Sequence, residues 1–202
     1  MRWMTLGAAL LLATTACEPE PSECGEPLYG GDATDEAWRA MVDVKGRPAD
    51  SSRAVTLLAP SEGTRYPADA APPIVEWSSP LSASLQRPER GTPSLEAPPR
   101  PERTWASWLG ELLLPSAHAH LPPYTGDLYW VEISAPGSAC PVAQVLTSEL
   151  VWRVEPLTWN ALAEHAGKTL TLQVTSAYLA QNRVTEGPYR LATPLTFVRE
   201  AP

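Results

Sequence analysis

Beyond the first sixteen residues, no apolar run is long enough to cross a bilayer as a helix. Nothing in the mature chain is therefore expected to thread a membrane. Catalytic signatures are missing as well: there is no G-x-S-x-G turn, no H-E-x-x-H helix and no phosphate-cradling glycine loop. Ser, His and Asp occur, but no spacing marks a triad, which is recognised by geometry. Acid pairs such as Asp127 and Glu132 suit a glycosidase in principle, yet any strand surface offers as many. The expectation is a non-enzyme with no cofactor, and an enzyme with an unrecognised site stays open as an alternative. Bases are scarce. Lysine stands only at Lys45 and Lys168, and 15 Lys and Arg face 23 Asp and Glu, for a net charge of −8. Phosphate backbones repel such a chain, which excludes nucleic acid as a partner. Phenylalanine occurs once, at Phe197, against 23 prolines. So much proline predicts long extended or irregular stretches. Apolar residues still make up 44% of the chain, enough for a real core.

The first residues have a recognisable anatomy. Arg2 gives a positive start, residues 6–13 form a short apolar run, and the small residues Thr14, Thr15 and Ala16 lead directly to Cys17. This is the layout of a signal peptide over residues 1–16. The cysteine behind small residues resembles the lipobox of bacterial lipoproteins. The resemblance implies cleavage before Cys17, diacylglycerol on its sulfur and a further acyl chain on its amine, and two or three chains anchor stably. The departure is Thr14, where the family prefers leucine. A secretory signal cut elsewhere, with Cys17 free, is the competing reading. The lipoprotein reading places the protein in the cell envelope, anchored to the outer or inner membrane.

Residues 17–53 read as an acidic tether. Glu18, Glu20, Glu23, Glu26, Asp32, Asp35 and Glu36 all precede the first base, Arg39. Like charges keep such a segment extended. Within it, residues 34–41 are a candidate short helix with Asp35 and Glu36 in its first turn. From residue 54 the texture changes to short apolar, β-branched and aromatic runs bounded by turn residues. Strands are predicted at residues 55–58, 74–77, 128–133, 141–147, 151–154, 169–177 and 195–198, with a short helix over residues 157–166. In the 169–177 run, Leu170, Leu172 and Val174 alternate with Thr169, Thr171 and Gln173, the pattern of a strand with one buried face. Residues 54–202 are thus expected to form an all-β, two-sheet sandwich.

Particular runs carry a resemblance. Pro73-Ile74-Val75-Glu76-Trp77-Ser78-Ser79-Pro80 resembles the second strand of fibronectin type III domains, with its core tryptophan. Tyr129-Trp130-Val131-Glu132-Ile133 resembles the third strand. The 170–177 run with Glu186-Gly187-Pro188 resembles the sixth strand and its loop, and Thr196-Phe197-Val198 the seventh. The resemblance covers about half the chain and implies a fibronectin type III/immunoglobulin-like sandwich, a fold that does not carry function. The 157–166 helix departs from the family's corner, and a long inserted loop, residues 81–127, separates the second and third strands.

That insertion draws the site candidates. Its proline-rich first half reads as extended. Trp105, Trp108, Leu109, Leu112 and Leu113 then fall at helical spacing behind Thr104, a short amphipathic helix. Two readings of this stripe are open: core laid over the sandwich, or a binding surface for a protein or lipid. His118 and His120 lie two apart and share a side if the chain is extended, so a metal-binding envelope lipoprotein is the second functional reading, with His165, Asp127 or Glu111 needed to complete the ligand set. Solvated loop histidines are the plainer account. In a fibronectin-like sandwich the loop between strands two and three shares an end with the loop between strands six and seven. Trp105, Trp108, Tyr124, Tyr178, Asn182 and Arg183 are accordingly the binding candidates. In that fold the chain also enters at this end, which would turn the cluster toward the membrane. Cys24 and Cys140 remain as thiols. In an oxidising compartment they pair with each other, pair with another chain or stay free. The leading reading is a lipid-anchored envelope protein acting as a non-catalytic binding or structural module, with the membrane and an envelope protein as partners.

Overall fold

The computed structural model describes residues 24–48, 50–81 and 122–201. Within them the chain runs β1 (Leu28–Gly30), α1 (Asp35–Lys45), β2 (Thr56–Ala59), β3 (Thr64–Tyr66), β4 (Ile74–Ser78), β5 (Gly126–Ser134), β6 (Ala143–Thr147), β7 (Val151–Arg153), α2 (Pro156–Ala161) with a 3-10 turn Leu162–His165, β8 (Thr169–Ala180), β9 (Arg183–Arg190) and β10 (Leu195–Arg199). The strands form two sheets. The larger has seven strands in the order β1-β6-β5-β8-β10-β3, with β9 also paired to β8; the smaller is β2-β4-β7. Strand β8 is long enough to serve two partners end to end, β10 along residues 169–172 and β9 along 175–180.

Period-two alternation decides which side chains meet. On β5, Tyr129, Val131 and Ile133 face the smaller sheet, where they join Val75 and Trp77 of β4, Trp152 of β7, Leu170, Leu172 and Val174 of β8 and Phe197 of β10 in one buried cluster. The other face of β5 is also apolar. Leu128 and Trp130 join Leu146, Ala177 and Leu179 in a second buried cluster, closed by Ala37, Trp38 and Met41 of α1. Strand β5 is covered on both sides and reads as a nearly continuous apolar run for that reason. The fold is mostly β, as expected, but it has three layers: small sheet, large sheet and helix α1.

Helix α1 follows from its sequence. Thr34 stands in extended conformation ahead of it and accepts a hydrogen bond from the Ala37 N–H at 3.2 Å. Asp35 and Glu36 occupy the first turn and Lys45 the last, each complementing the helix dipole. Ala37, Trp38, Met41 and Val44 are buried on one face. The Trp38 ring meets Trp130 edge-on at 4.4 Å between centroids. Lys45 Nζ lies 2.7 Å from Glu132 Oε1 and 4.1 Å above the Trp130 ring. Arg190 donates from Nη2 to the Lys45 carbonyl at 2.7 Å.

The acidic segment therefore differs from an extended tether. From Cys24 onward it is part of the fold. Strand β1 pairs in parallel with β6, α1 crosses the outer face of the large sheet, and Cys24 is disulfide-bonded to Cys140. The physical reason is that its four apolar side chains, helically spaced, find an apolar sheet face waiting for them, and their burial outweighs repulsion among solvent-facing carboxylates. The insertion is also shorter than 81–127, since Gly126 and Asp127 open β5 and pair with Leu179 and Tyr178. The 157–166 helix is present as α2 and its 3-10 turn, at the expected corner. It is fixed by Trp159, which is buried, donates from Nε1 to the Ala70 carbonyl at 3.0 Å and lies under the Arg199 guanidinium at 4.6 Å.

Candidate functional site

Two chain segments meet at the end of the large sheet where β5 begins and β8 ends. The turn between β8 and β9 is two residues long, with Gln181 at φ 51° and Asn182 at φ 59°. Two consecutive left-handed residues give the tight hairpin whose twist matches its strands, and asparagine tolerates that conformation better than most residues. This turn grips the segment entering β5. The Tyr124 N–H donates to Asn182 Oδ1 at 2.7 Å, the Asn182 N–H donates to the Tyr124 carbonyl at 2.9 Å, and the Gln181 N–H donates to Thr125 Oγ1 at 3.0 Å. The Tyr124 hydroxyl donates to the Asp127 carbonyl at 2.5 Å. Its ring leans on the α1 cluster. Burial, and then the carboxylates of Asp127 and Asp32, push the Tyr124 hydroxyl above the ordinary tyrosine range. It is held as a proton donor and is not poised as a base.

Asp32 and Ser148 complete this end: the Asp32 N–H donates to Ser148 Oγ at 2.9 Å. Tyr178 sits opposite Asp127 in the register, half-buried, and Arg183 opens β9 with its side chain exposed. Four of the sequence candidates, Tyr124, Tyr178, Asn182 and Arg183, thus gather at one end, and Tyr124 and Asn182 are directly bonded. Trp105, Trp108, His118 and His120 lie outside the described residues, as does Cys17. Of the other proposed metal ligands, Glu111 also lies outside the described residues, and His165 and Asp127 are not brought together. His165 precedes the start of β8, while Asp127 faces Tyr178 near its other end. Among the described residues no group of three or more His, Cys, Asp or Glu side chains is placed to hold a metal ion. Cys24 and Cys140 form an intrachain disulfide.

Comparison of the chain with protein-family models, with curated proteins and with solved structures gives no match. The arrangement itself must carry the reading.

Sequence reasoning missed two shallow hollows, both built on the N-terminal segment. One, of about 420 Å³, is lined by Glu26, Asp35, Trp38, Arg39, Val42 and Asp43 on the exposed side of α1. The other, of about 190 Å³, lies between β1 and β7 and includes Tyr29, Thr147, Glu149, Trp152, Arg153 and Glu155. Burial, followed by the nearby Glu26 carboxylate and then Asp35, pushes the Tyr29 hydroxyl up to about 12. Strand β1 is only three residues long and flanked by glycine, so no alternation announces it.

Tyr124→Phe tests how rigid the gathered end is. The variant removes the hydrogen bond from the Tyr124 hydroxyl to the Asp127 carbonyl, and the expected loss of stability is about 1–3 kcal/mol. Denaturant unfolding of the two proteins measures it. Coincident curves would mean that the tyrosine hydroxyl does not brace this end.

Proposed function

We propose that the chain is a lipid-anchored envelope protein whose folded part is a fibronectin type III-like sandwich, serving as a non-catalytic binding or structural module. The observation that carries the reading is the gathered end. A two-residue hairpin locked to Tyr124 by reciprocal hydrogen bonds makes a stiff rim beside the start of β5, next in sequence to the long connection from β4. Loops held on a rigid scaffold are the usual place for recognition, and tyrosine gives large contact area for little entropy lost. The groups that lock Tyr124 to the hairpin are spent on one another, which suits presentation better than reaction.

The strand partition supports the fibronectin type III comparison. With β2 as first strand, β4 second, β5 third, β6 fourth, β7 fifth, β8 sixth and β10 seventh, one sheet is first-second-fifth and the other holds fourth-third-sixth-seventh. Sheets of this type pack two faces of alternating apolar residues around one core. Strands β1, β3 and β9 and helix α1 are additions to that plan.

The anchor is supported by the ordering of Arg2, the apolar run and Thr14-Thr15-Ala16 before Cys17. Among the described residues no helix is long and apolar enough to cross a membrane. Cys17→Ser is expected to shift the protein from the detergent phase to the aqueous phase or to leave an uncleaved precursor. Mass spectrometry of the mature N-terminus decides the point, and an unmodified N-terminus other than Cys17 overturns the anchor. For the recognition end, a photo-crosslinking residue at position 183 is expected to give a discrete adduct in intact cells, and one at position 168 none. Equal labelling at both overturns that assignment.

A further inference from the structure

We propose that on the anchored protein the end of the fold formed by residues 135–142, residues 67–73 and α2 lies against the lipid bilayer, and that the Tyr124–Asn182 end is held away from it. This rests on the reading of Cys17 as the lipid-bearing residue. The argument is one of reach. Cys24 is bonded to Cys140, in the connection between β5 and β6. Strand β5 starts at the Tyr124 end and finishes toward Cys140, and its nine residues span about 27 Å. Cys24 follows Cys17 by seven residues, a leash of at most about 25 Å when fully extended. Turning the Tyr124 end to the bilayer would lift Cys24 off the surface by the length of β5 and the turns beyond it, further than the leash reaches.

The chain's local entry point is therefore opposite to the one that a plain fibronectin-like plan supplies. There the first strand, here β2, begins at the Tyr124 end. In this protein β1 and α1 precede it. Strand β1 runs alongside β6 from the Cys140 end toward the Tyr124 end, and α1 crosses back over the sheet. The disulfide holds the entry at the far end.

The chemistry of the two ends agrees with this orientation. Residues 135–142 contain no charged side chain. Leu157 of α2, at the same end, is 84% exposed, the most exposed large apolar side chain among the described residues. Such a residue gains by entering the headgroup boundary. Carboxylates do not divide the ends, since Asp69, Glu155 and Glu164 are exposed at this one and Asp32 and Glu149 at the other, so the apolar surface carries the agreement.

The test uses the full-length lipidated protein with its disulfide intact, in phosphatidylcholine vesicles containing a lipid with a nitroxide on the headgroup. Leu157→Cys and Arg183→Cys variants carry a thiol-reactive dye. The dye at position 157 is expected to be quenched several-fold more than the dye at position 183. Lys168→Cys and Glu149→Cys, both exposed and at the two respective ends, repeat the comparison independently of α2 and the hairpin. Equal quenching within each pair, or stronger quenching at positions 183 and 149, overturns the orientation while leaving the anchor intact. Failure of the protein to float with vesicles, together with an unmodified N-terminus, overturns the anchor and the orientation with it.

Discussion

Trp77→Ala will lower the stability of the fold by about 3–5 kcal/mol, the usual cost of emptying a large aromatic core position. Trp77 stands on β4, the central strand of the smaller sheet, and is 1% exposed. Its ring meets that of Tyr129, on the opposite sheet, at 5.5 Å between centroids. Truncation would leave a void between the layers that neither sheet can close without shifting its ladder. Native domains hold only about 5–15 kcal/mol in total, so the variant should melt early and populate the unfolded state at modest denaturant. Denaturant unfolding of both proteins measures the difference, and agreement within about 1 kcal/mol would remove Trp77 from the core. Trp77 Nε1 is buried without a hydrogen-bond partner among the described residues. Trp77→Phe should therefore cost less than its lost ring area alone implies, because it also removes an unsatisfied donor.

Loss of the Cys24–Cys140 bond is expected to destabilise by a similar amount. The two cysteines are 116 residues apart. Releasing a loop of that length returns about 4–5 kcal/mol of chain entropy to the unfolded state. For a chain of this size the melting temperature should fall by roughly 10–20 °C. The Cys24→Ser/Cys140→Ser double variant and the reduced parent should agree, since both act through the same bond. A melting temperature unchanged by reductant would mean that the pair does not constrain the chain. Reduction should also loosen β1 and α1 before the sheets. Gly25 next to the bridge accepts from Gln144 Nε2 at 2.9 Å, and Gln144 in turn accepts from Trp130 Nε1 at 3.2 Å, so the cysteine, the N-terminal segment and the helix cradle are linked in one network.

The sandwich core was legible because its strands obey period two and are punctuated by proline and glycine. The run Ile74 to Trp77, the run Leu128 to Ile133 and the alternation from Thr169 all sit where expected. The helix after Thr34 was legible from its first-turn acids. What it packs against was not, because Trp38 and Met41 need a sheet face made by residues about ninety or more positions later. Charge count pointed the wrong way there: Asp35, Glu36 and Asp43 dominate the composition of the segment while its buried face is carried by four residues. Strands β1, β3 and β9 were missed for different reasons. The first two are three residues long, and both pair in parallel with strands far away in sequence. The third contains Gly187-Pro188 and pairs through a shifted register, so its alternation is broken. The placement of the candidate residues was partly legible: Tyr124, Tyr178, Asn182 and Arg183 came together because loop adjacency follows from strand order, whereas the reciprocal Tyr124–Asn182 bonds depend on backbone geometry that spacing does not encode.

The parallel pairing of β1 with β6 also has a meaning in time. A ribosome delivers Leu28 long before Val145. Until residue 147 has emerged, β1 lacks its full edge on β6, and Trp38 must wait first for Trp130 and then for Leu179. Cys24 has no Cys140 to find until residue 140 has emerged. The earliest part of the chain must therefore wait in an unpaired state while the sheets assemble from later residues, and closing contacts of such separation is slow. During that interval its repeated acidic side chains keep an otherwise sticky Trp38 and Met41 in solution. The same carboxylates that complement the dipole of α1 in the finished fold thus guard the chain while it is incomplete.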